Sequence, residues 1–98
     1  MKVSEITLIG LAGYLRLDGD NLSGAEGAEL SVLLGVARAF IASYTGLSAE
    51  EIDTHADFVI VVYVLVQDMY DNRVLYVEKN NLNKVVDDIL GMHSKNYL

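Results

Sequence analysis

The sequence predicts an all-α protein: a compact bundle of four main helices in a single domain that spans residues 1–98. Three observations favour this fold class. Apolar residues recur along several segments at the i, i+3, i+4, i+7 spacing of one helix face. Residues that cap helices precede these segments. Hydrophobic residues make up 52% of the chain and charged residues 21%, a composition typical of a packed domain and not of a disordered one.

The first two predicted helices are separated by a loop rich in Gly, Asp and Asn. Thr7 suits the N-cap of a short first helix, because its hydroxyl oxygen can accept a hydrogen bond from the first turn. The loop covers residues 18–24, and a second helix is predicted over about 25–44, ending before Gly46. The apolar face of the first helix consists of Leu8, Leu11, Ala12 and Leu15.

The central segment, about 55–72, is predicted to be an apolar helix. A capping-box pair, Ser48 with Glu51, predicts a short helical turn before it. The β-branched run Phe58–Val66 also fits a buried strand, but helical spacing continues beyond it and favours a helix. This run has nine residues, whereas a membrane-spanning helix needs about 20, so we expect no membrane partner.

The last quarter of the chain is predicted to contain a short extended stretch and a final helix. The stretch covers residues 74–78, which are rich in β-formers. Asn81 is the predicted N-cap of the helix, and Gly91 is expected just past its end. The residues expected to face inward are Leu82, Val85, Val86, Ile89 and Leu90.

The second and third helices each carry a second apolar face, and these two faces supply the candidate subunit-interface residues. At 100° per residue, they consist of Val32, Val36, Ala39 and Ser43 on the second helix and Ile60, Val61 and Val64 on the third. Two interpretations remain open. Other helices of the same chain cover these faces, or a neighbouring subunit does.

No residue pattern predicts catalysis or a bound ion. Residues 18–29 resemble a calcium loop only superficially, because Ser23 stands where such a loop requires glycine. The two histidines, His55 and His93, belong to no nucleophile motif and are predicted to be surface residues. The chain has no cysteine, which excludes thiol catalysis and Cys-ligated zinc. We expect a non-enzymatic protein without a catalytic residue, cofactor or metal.

Four motifs follow one another along almost the whole chain. They are residues 6–20, 37–48 and 64–73, together with a terminal segment that carries paired aliphatic residues. In this order they resemble the head-tail connector (adaptor) family of tailed bacteriophages, typified by gene product six of a lambda-like siphophage. The residues that carry the resemblance are Tyr14, Leu15, Arg16, Asp18, Tyr44, Thr45, Gly46, Tyr70, Asn72 and Arg73. The chain departs from the family in having no proline at the starts of its third and fourth helices.

The resemblance implies a structural role at the virion neck, after assembly in the bacterial host cytoplasm. Copies of such a protein, sometimes monomeric until templated, form a ring on the portal protein, extend the DNA channel and join the head to a tail or stopper protein. The net charge of −7 disfavours binding to a phosphate backbone, so DNA is expected only as passing cargo. The composition also fits an alternative, a small acidic dimerisation or regulatory module, antitoxin-type or transcription-associated, with no phage role.

Overall fold

The computed structural model describes residues 1–16, 24–77 and 82–94. These residues form a 3-10 helix at Val3–Glu5 and five α-helices, with no strand among them. The all-α prediction is confirmed. The α-helices are α1 (Leu8–Tyr14), α2 (Gly24–Thr45), α3 (Ala49–Asp53), α4 (Phe58–Asn72) and α5 (Lys84–His93).

Local side-chain caps set the first residues of α1 and α3, as the sequence predicts. The hydroxyl oxygen of Thr7 accepts a hydrogen bond from the backbone N–H of Gly10 at 3.0 Å. Ser48 and Glu51 form the predicted capping box, in which each backbone N–H donates to the other side chain at 3.1 and 3.2 Å. These contacts satisfy N–H groups that have no acceptor within the helix.

The segment 58–66 is helical, so the prediction of a central helix is confirmed. Its start lies at Phe58, three residues later than predicted, because residues 54–57 form turns that follow α3. Burial explains why a β-branched run forms a helix here. Each large apolar side chain removed from water contributes roughly 1.5–3 kcal/mol, more than the ~1 kcal/mol range of β-propensities. The buried residues of α4 are Phe58, Val59, Val61, Val62, Leu65, Val66 and Met69.

The core lies mainly between α4 and α2, which form the most extensive helix pair of the described chain. The buried side chains of α2 are Leu30, Leu33, Leu34, Ala37, Ile41 and Thr45. α1 packs on α2, and α5 packs on both α2 and α4. The central helix is therefore enclosed on most sides by its own chain.

The C-terminal helix differs from the prediction at both ends. Its N-cap is Asn83, whose side-chain oxygen accepts from the N–H of Val85 at 2.8 Å. Asn81, the predicted cap, lies outside the described residues. Gly91 lies inside α5 and not beyond its end. Of the five residues predicted to face inward, Val86 and Leu90 are buried, Leu82 and Ile89 are half-buried, and Val85 is exposed.

The segment before α5 contains no strand within its described part. Residues 74–77 form a bend, whereas Glu78 of the predicted extended stretch lies outside the described residues. The N–H of Val74 donates back to the carbonyl of Met69 at 3.1 Å, which closes the C-terminal end of α4. This contact directs the backbone into a reversal and not into a strand.

Three helices end on a residue in the left-handed backbone region. Arg16 follows α1 with φ 62°, Gly46 follows α2 with φ 74°, and Arg73 follows α4 with φ 56°. A left-handed residue at this point directs its N–H back to a carbonyl of the last turn and stops the helix. These residues supply the helix ends of a chain that contains no proline.

Candidate functional site

The first candidate surface is the α2 outer stripe, which consists of Val32, Val36, Ala39 and Ser43. Val32 is 49% exposed, and Ala39 and Ser43 are also exposed, whereas Val36 packs partly against the core. The stripe lies opposite the buried face of α2, because residues 33, 37 and 41 share the other side of the helix. The second apolar face predicted on α2 is thus only partly covered by the described residues.

The second candidate surface is the α4 outer stripe, which consists of Ile60 and Val64. Ile60 is 54% exposed, and Val64 is half-buried. Val61 was expected on the same face, but its side chain is 0% exposed and belongs to the core. The side chains of Val61 and Ile60 point in directions 100° apart around the helix, so that of Val61 faces the core. Val61 is therefore a core residue and not a candidate interface residue.

The α4 outer stripe continues into two carboxylates in the last turns of the helix. Asp68 and Asp71 lie near the line of Ile60 and Val64, at helical spacings of three and four residues. Partial burial, and then the neighbouring carboxylate of Asp71, raise the pKa of Asp68. This side of α4 is thus apolar in its first half and acidic in its second half.

The two stripes lie on different sides of the domain. α2 and α4 pack against each other through their buried faces, so their opposite faces point away from the common core. Each stripe exposes one large apolar residue, Val32 on α2 and Ile60 on α4. The chain therefore exposes an apolar residue on the outer face of each of these two helices.

The residues of the motif Tyr44–Gly46 fix the end of α2 and its contact with α5. The hydroxyl of Tyr44 donates to Asp87 Oδ1 at 2.8 Å, a contact that raises the pKa of Tyr44. Thr45 is fully buried, and its hydroxyl donates to the carbonyl of Ile41 at 2.7 Å and accepts from the N–H of Leu47 at 3.2 Å. Gly46 then takes the left-handed conformation. This motif is a structural one.

The motif at the end of α4 also makes contacts within the chain. The guanidinium of Arg73 lies 5.0 Å from the centre of the Tyr70 ring, and it also approaches the carboxylate of Glu29 at 3.8 Å. The side-chain amide of Asn72 donates to the carbonyl of Asp68 at 2.8 Å. These contacts close the last turn of α4 and connect it to α2.

The motif residues at the end of α1 also make contacts within the chain and end the helix. Tyr14 stacks on Tyr63 of α4 with ring centroids 5.0 Å apart. Leu15 is half-buried at the C-cap, and Arg16 takes the left-handed conformation that ends the helix. Asp18 lies outside the described residues. The described motif residues thus make contacts within the chain, whereas the outer stripes are partly exposed.

A cluster of His55, Asp57 and His93 lies where the start of α4 meets the end of α5. The two imidazole rings stack with centroids 4.0 Å apart and an interplanar angle of 29°. His93 Nε2 lies 2.9 Å from Asp57 Oδ2. The ring of Phe58 contacts both imidazoles edge-on, at 5.5 and 5.1 Å. The sequence predicted surface histidines, whereas both are half-buried and stack on each other.

No sequence rule identifies this cluster, because 36 positions separate Asp57 from His93. The only local sign is the short spacing of His55 and Asp57, which is common in solvated turns. Packing of α5 on α2 and α4 brings His93 to the other two. The position of His93 in the last turn of α5 also suits a cation or a proton donor, because the helix dipole is negative there.

Two shallow cavities lie away from the cluster. One, of about 270 Å³, is lined by Asp68 and Asn72 among apolar side chains near the end of α4. The other, of about 250 Å³, lies beside Arg38. Arg38 donates from Nη2 to the carbonyl of Val3 at 2.9 Å, while its buried Nε has no hydrogen-bond partner among the described residues. Arg38 therefore anchors the N-terminal segment on α2.

No family model, curated protein or solved structure matches this chain. Among the described residues, no helix combines the length and the apolarity that a bilayer-spanning segment requires.

Proposed function

We propose that this chain is a structural assembly protein, a head-tail connector whose copies form a ring on a phage portal. In this role it extends the DNA channel at the virion neck and presents a docking surface to a tail or stopper protein. Two features support the proposal together: the ordered motifs of the sequence, and the two outer stripes on α2 and α4. The two stripes are the observation that favours a ring.

A ring needs two different contact surfaces on every subunit. In a head-to-tail interface, one patch of each copy meets a different patch of the next copy, and the assembly closes when the rotation permits. A two-fold dimer instead needs only one self-complementary patch. Val32 on α2 and Ile60 on α4 are exposed on different sides of the domain, which is the arrangement that suits a ring. We therefore propose that the α2 outer stripe of one subunit packs against the α4 outer stripe of its neighbour.

The charge of the chain fits the passage of DNA through such a ring. The net charge is −7, and a negatively charged bore repels phosphate, so DNA slides without adhering. The proposal requires the acidic side chains to line the bore. An electron-microscopy reconstruction of the portal complex with the acidic faces turned outward would contradict it.

The test uses one charged substitution in each stripe. Ala39→Glu and Ile60→Asp are each expected to abolish ring formation on the portal, because each places an unpaired carboxylate in an apolar contact. Ser31→Glu is the matched control on α2, since Ser31 is exposed but lies off the stripe. Val85→Asp is the control for Ile60→Asp, because the two residues are similarly exposed: Val85 is 58% exposed and Ile60 is 54% exposed. The readout is co-sedimentation with the portal protein, followed by electron microscopy.

Mixing the two variants distinguishes a ring from a dimer. The Ala39→Glu subunit keeps an intact α4 stripe, and the Ile60→Asp subunit keeps an intact α2 stripe. A head-to-tail contact therefore predicts a one-to-one heterodimer in native mass spectrometry at high concentration, with no larger species. A stable wild-type homodimer that ignores the portal would instead favour the dimerisation or regulatory module.

A further inference from the structure

We propose that His55, Asp57 and His93 form a binding site for a divalent transition-metal ion of the zinc type. A ring nitrogen of each histidine and a carboxylate oxygen of Asp57 all lie within 4.8 Å of one another. No other group of three such ligands occurs among the described residues. The site is independent of the proposed assembly role, because it rests on side chains that neither outer stripe contains.

The distances suit chelation after a small movement. Zinc binds imidazole nitrogen at about 2.0–2.1 Å and carboxylate oxygen at about 2.0–2.2 Å, so two ligands of a tetrahedral ion lie about 3.3 Å apart. His93 Nε2 and Asp57 Oδ2 are 2.9 Å apart and need to separate only slightly. A third ligand atom within 4.8 Å needs to move by at most about 1.5 Å to reach the tetrahedral spacing.

The ligand set selects a class of metal. Two imidazole nitrogens and one carboxylate oxygen suit Zn²⁺ and its neighbours such as Ni²⁺ and Co²⁺. Mg²⁺ and Ca²⁺ prefer a shell made entirely of oxygen and are not expected to bind here. Three protein ligands leave one tetrahedral position for water or for a donor from a partner.

The surroundings allow an ion to enter from solvent and then be held. The side chains of His93 and Asp57 are 19% and 38% exposed, whereas Phe58 is fully buried and covers the inner side of both imidazoles. The ion would join the turn before α4 to the last turn of α5, two segments that only packing and a few polar contacts connect. Binding should therefore stabilise the docking of α5.

The first test measures binding to the purified full chain with ZnCl₂ and, as a control, MgCl₂. Isothermal titration is expected to give one Zn²⁺ per chain and no Mg²⁺. Free Zn²⁺ at ten times Kd should raise Tm by about 6–11 °C for a domain of this size, and a chelator should reverse the shift. Binding should weaken in acid, because protons compete with the metal ion for the ligand atoms.

Variants locate the ion. His55→Gln, Asp57→Asn and His93→Gln should each weaken Zn²⁺ binding by at least about tenfold, the lower limit for losing even a supporting contact of a metal site. Asp71→Asn, which removes an exposed carboxylate elsewhere, should bind as the wild type does. In the wild-type protein, Zn²⁺ should shift the ring resonances of both histidines in NMR spectra, a readout that needs no variant to fold. Absence of binding, or binding that leaves either histidine unshifted, would overturn the proposal.

Discussion

Replacing Thr45 by valine tests how α2 ends and why the chain turns at that point. The substitution keeps the β-branched shape of a fully buried side chain and removes only its hydroxyl. That hydroxyl is the acceptor for the N–H of Leu47, at 3.2 Å, in a region closed to water. The Thr45→Val protein therefore buries a donor without an acceptor.

The expected loss follows from the two terms involved. A buried donor without a partner costs about 1–3 kcal/mol, and the additional buried methyl group offsets this by up to about 0.8 kcal/mol. With the full offset, the net loss in free energy of unfolding is therefore roughly 0.2–2.2 kcal/mol. For a domain of this size, each kcal/mol lowers Tm by roughly 4–8 °C.

Urea denaturation followed by far-UV circular dichroism measures the loss, and Thr45→Ser provides the control. Serine keeps the hydroxyl and loses one methyl group, so its stability also falls, by about 1 kcal/mol. Amide hydrogen exchange separates the two cases, because the N–H of Leu47 should lose its protection only in Thr45→Val. A valine variant that is as stable as the wild type, with the Leu47 amide still protected, would refute the hydrogen-bond argument.

Three further predictions concern neighbouring positions. Gly46→Ala should lower the free energy of unfolding by about 1–2 kcal/mol in urea titrations, because alanine is disfavoured at positive φ; Gly46→Asn should lose less. Hydrogen bonds from the side chain and then the backbone N–H of Ser4 lower the pKa of Asp53. The ionised Asp53 carboxylate therefore stabilises the fold at pH values above the pKa it has in the unfolded chain. This stabilisation is lost as pH falls through the pKa that Asp53 has in the folded protein. The Tm difference between wild type and Asp53→Asn should therefore shrink as pH falls below about 4. The hydrogen bond to Asp87 raises the pKa of Tyr44. The contribution of this hydrogen bond to stability is therefore complete below about pH 10 and is lost at higher pH. In Tm measurements, Tyr44→Phe should remove this fall in stability at alkaline pH.

Local chemistry made several features predictable from the sequence. The caps at Thr7 and Ser48 depend on residues only three positions away, so a short motif contains all the necessary information. The N-cap of α5 was predicted at Asn81, but the chain has asparagines at 80, 81 and 83, and asparagine is a good N-cap at any of these positions. In the structure Asn83 is the N-cap.

The remaining features depend on how the helices pack. The first half of α4 is apolar on nearly all sides, so periodicity alone does not indicate which apolar residue there faces outward. For this reason Val61 was grouped with Ile60, although the first is buried and the second exposed. The histidine cluster could not be predicted because the turn before α4 and the last turn of α5 are far apart in the sequence and meet only in the folded chain. Both outcomes follow from the orientation of α4 and α5 on α2.

The way α5 is held has a consequence for the dynamics of the domain. This helix buries only Val86 and Leu90, and its main polar attachments are Tyr44 to Asp87, His93 to Asp57, and Ser94 Oγ to the carbonyl of Tyr44 at 3.4 Å. An element with so little buried surface opens as a unit well below the free energy of global unfolding. Its amides should exchange with solvent before those of α4. A helix that detaches in this way can dock in the same position on a second copy of the chain, which would link the two copies by exchange of an identical segment.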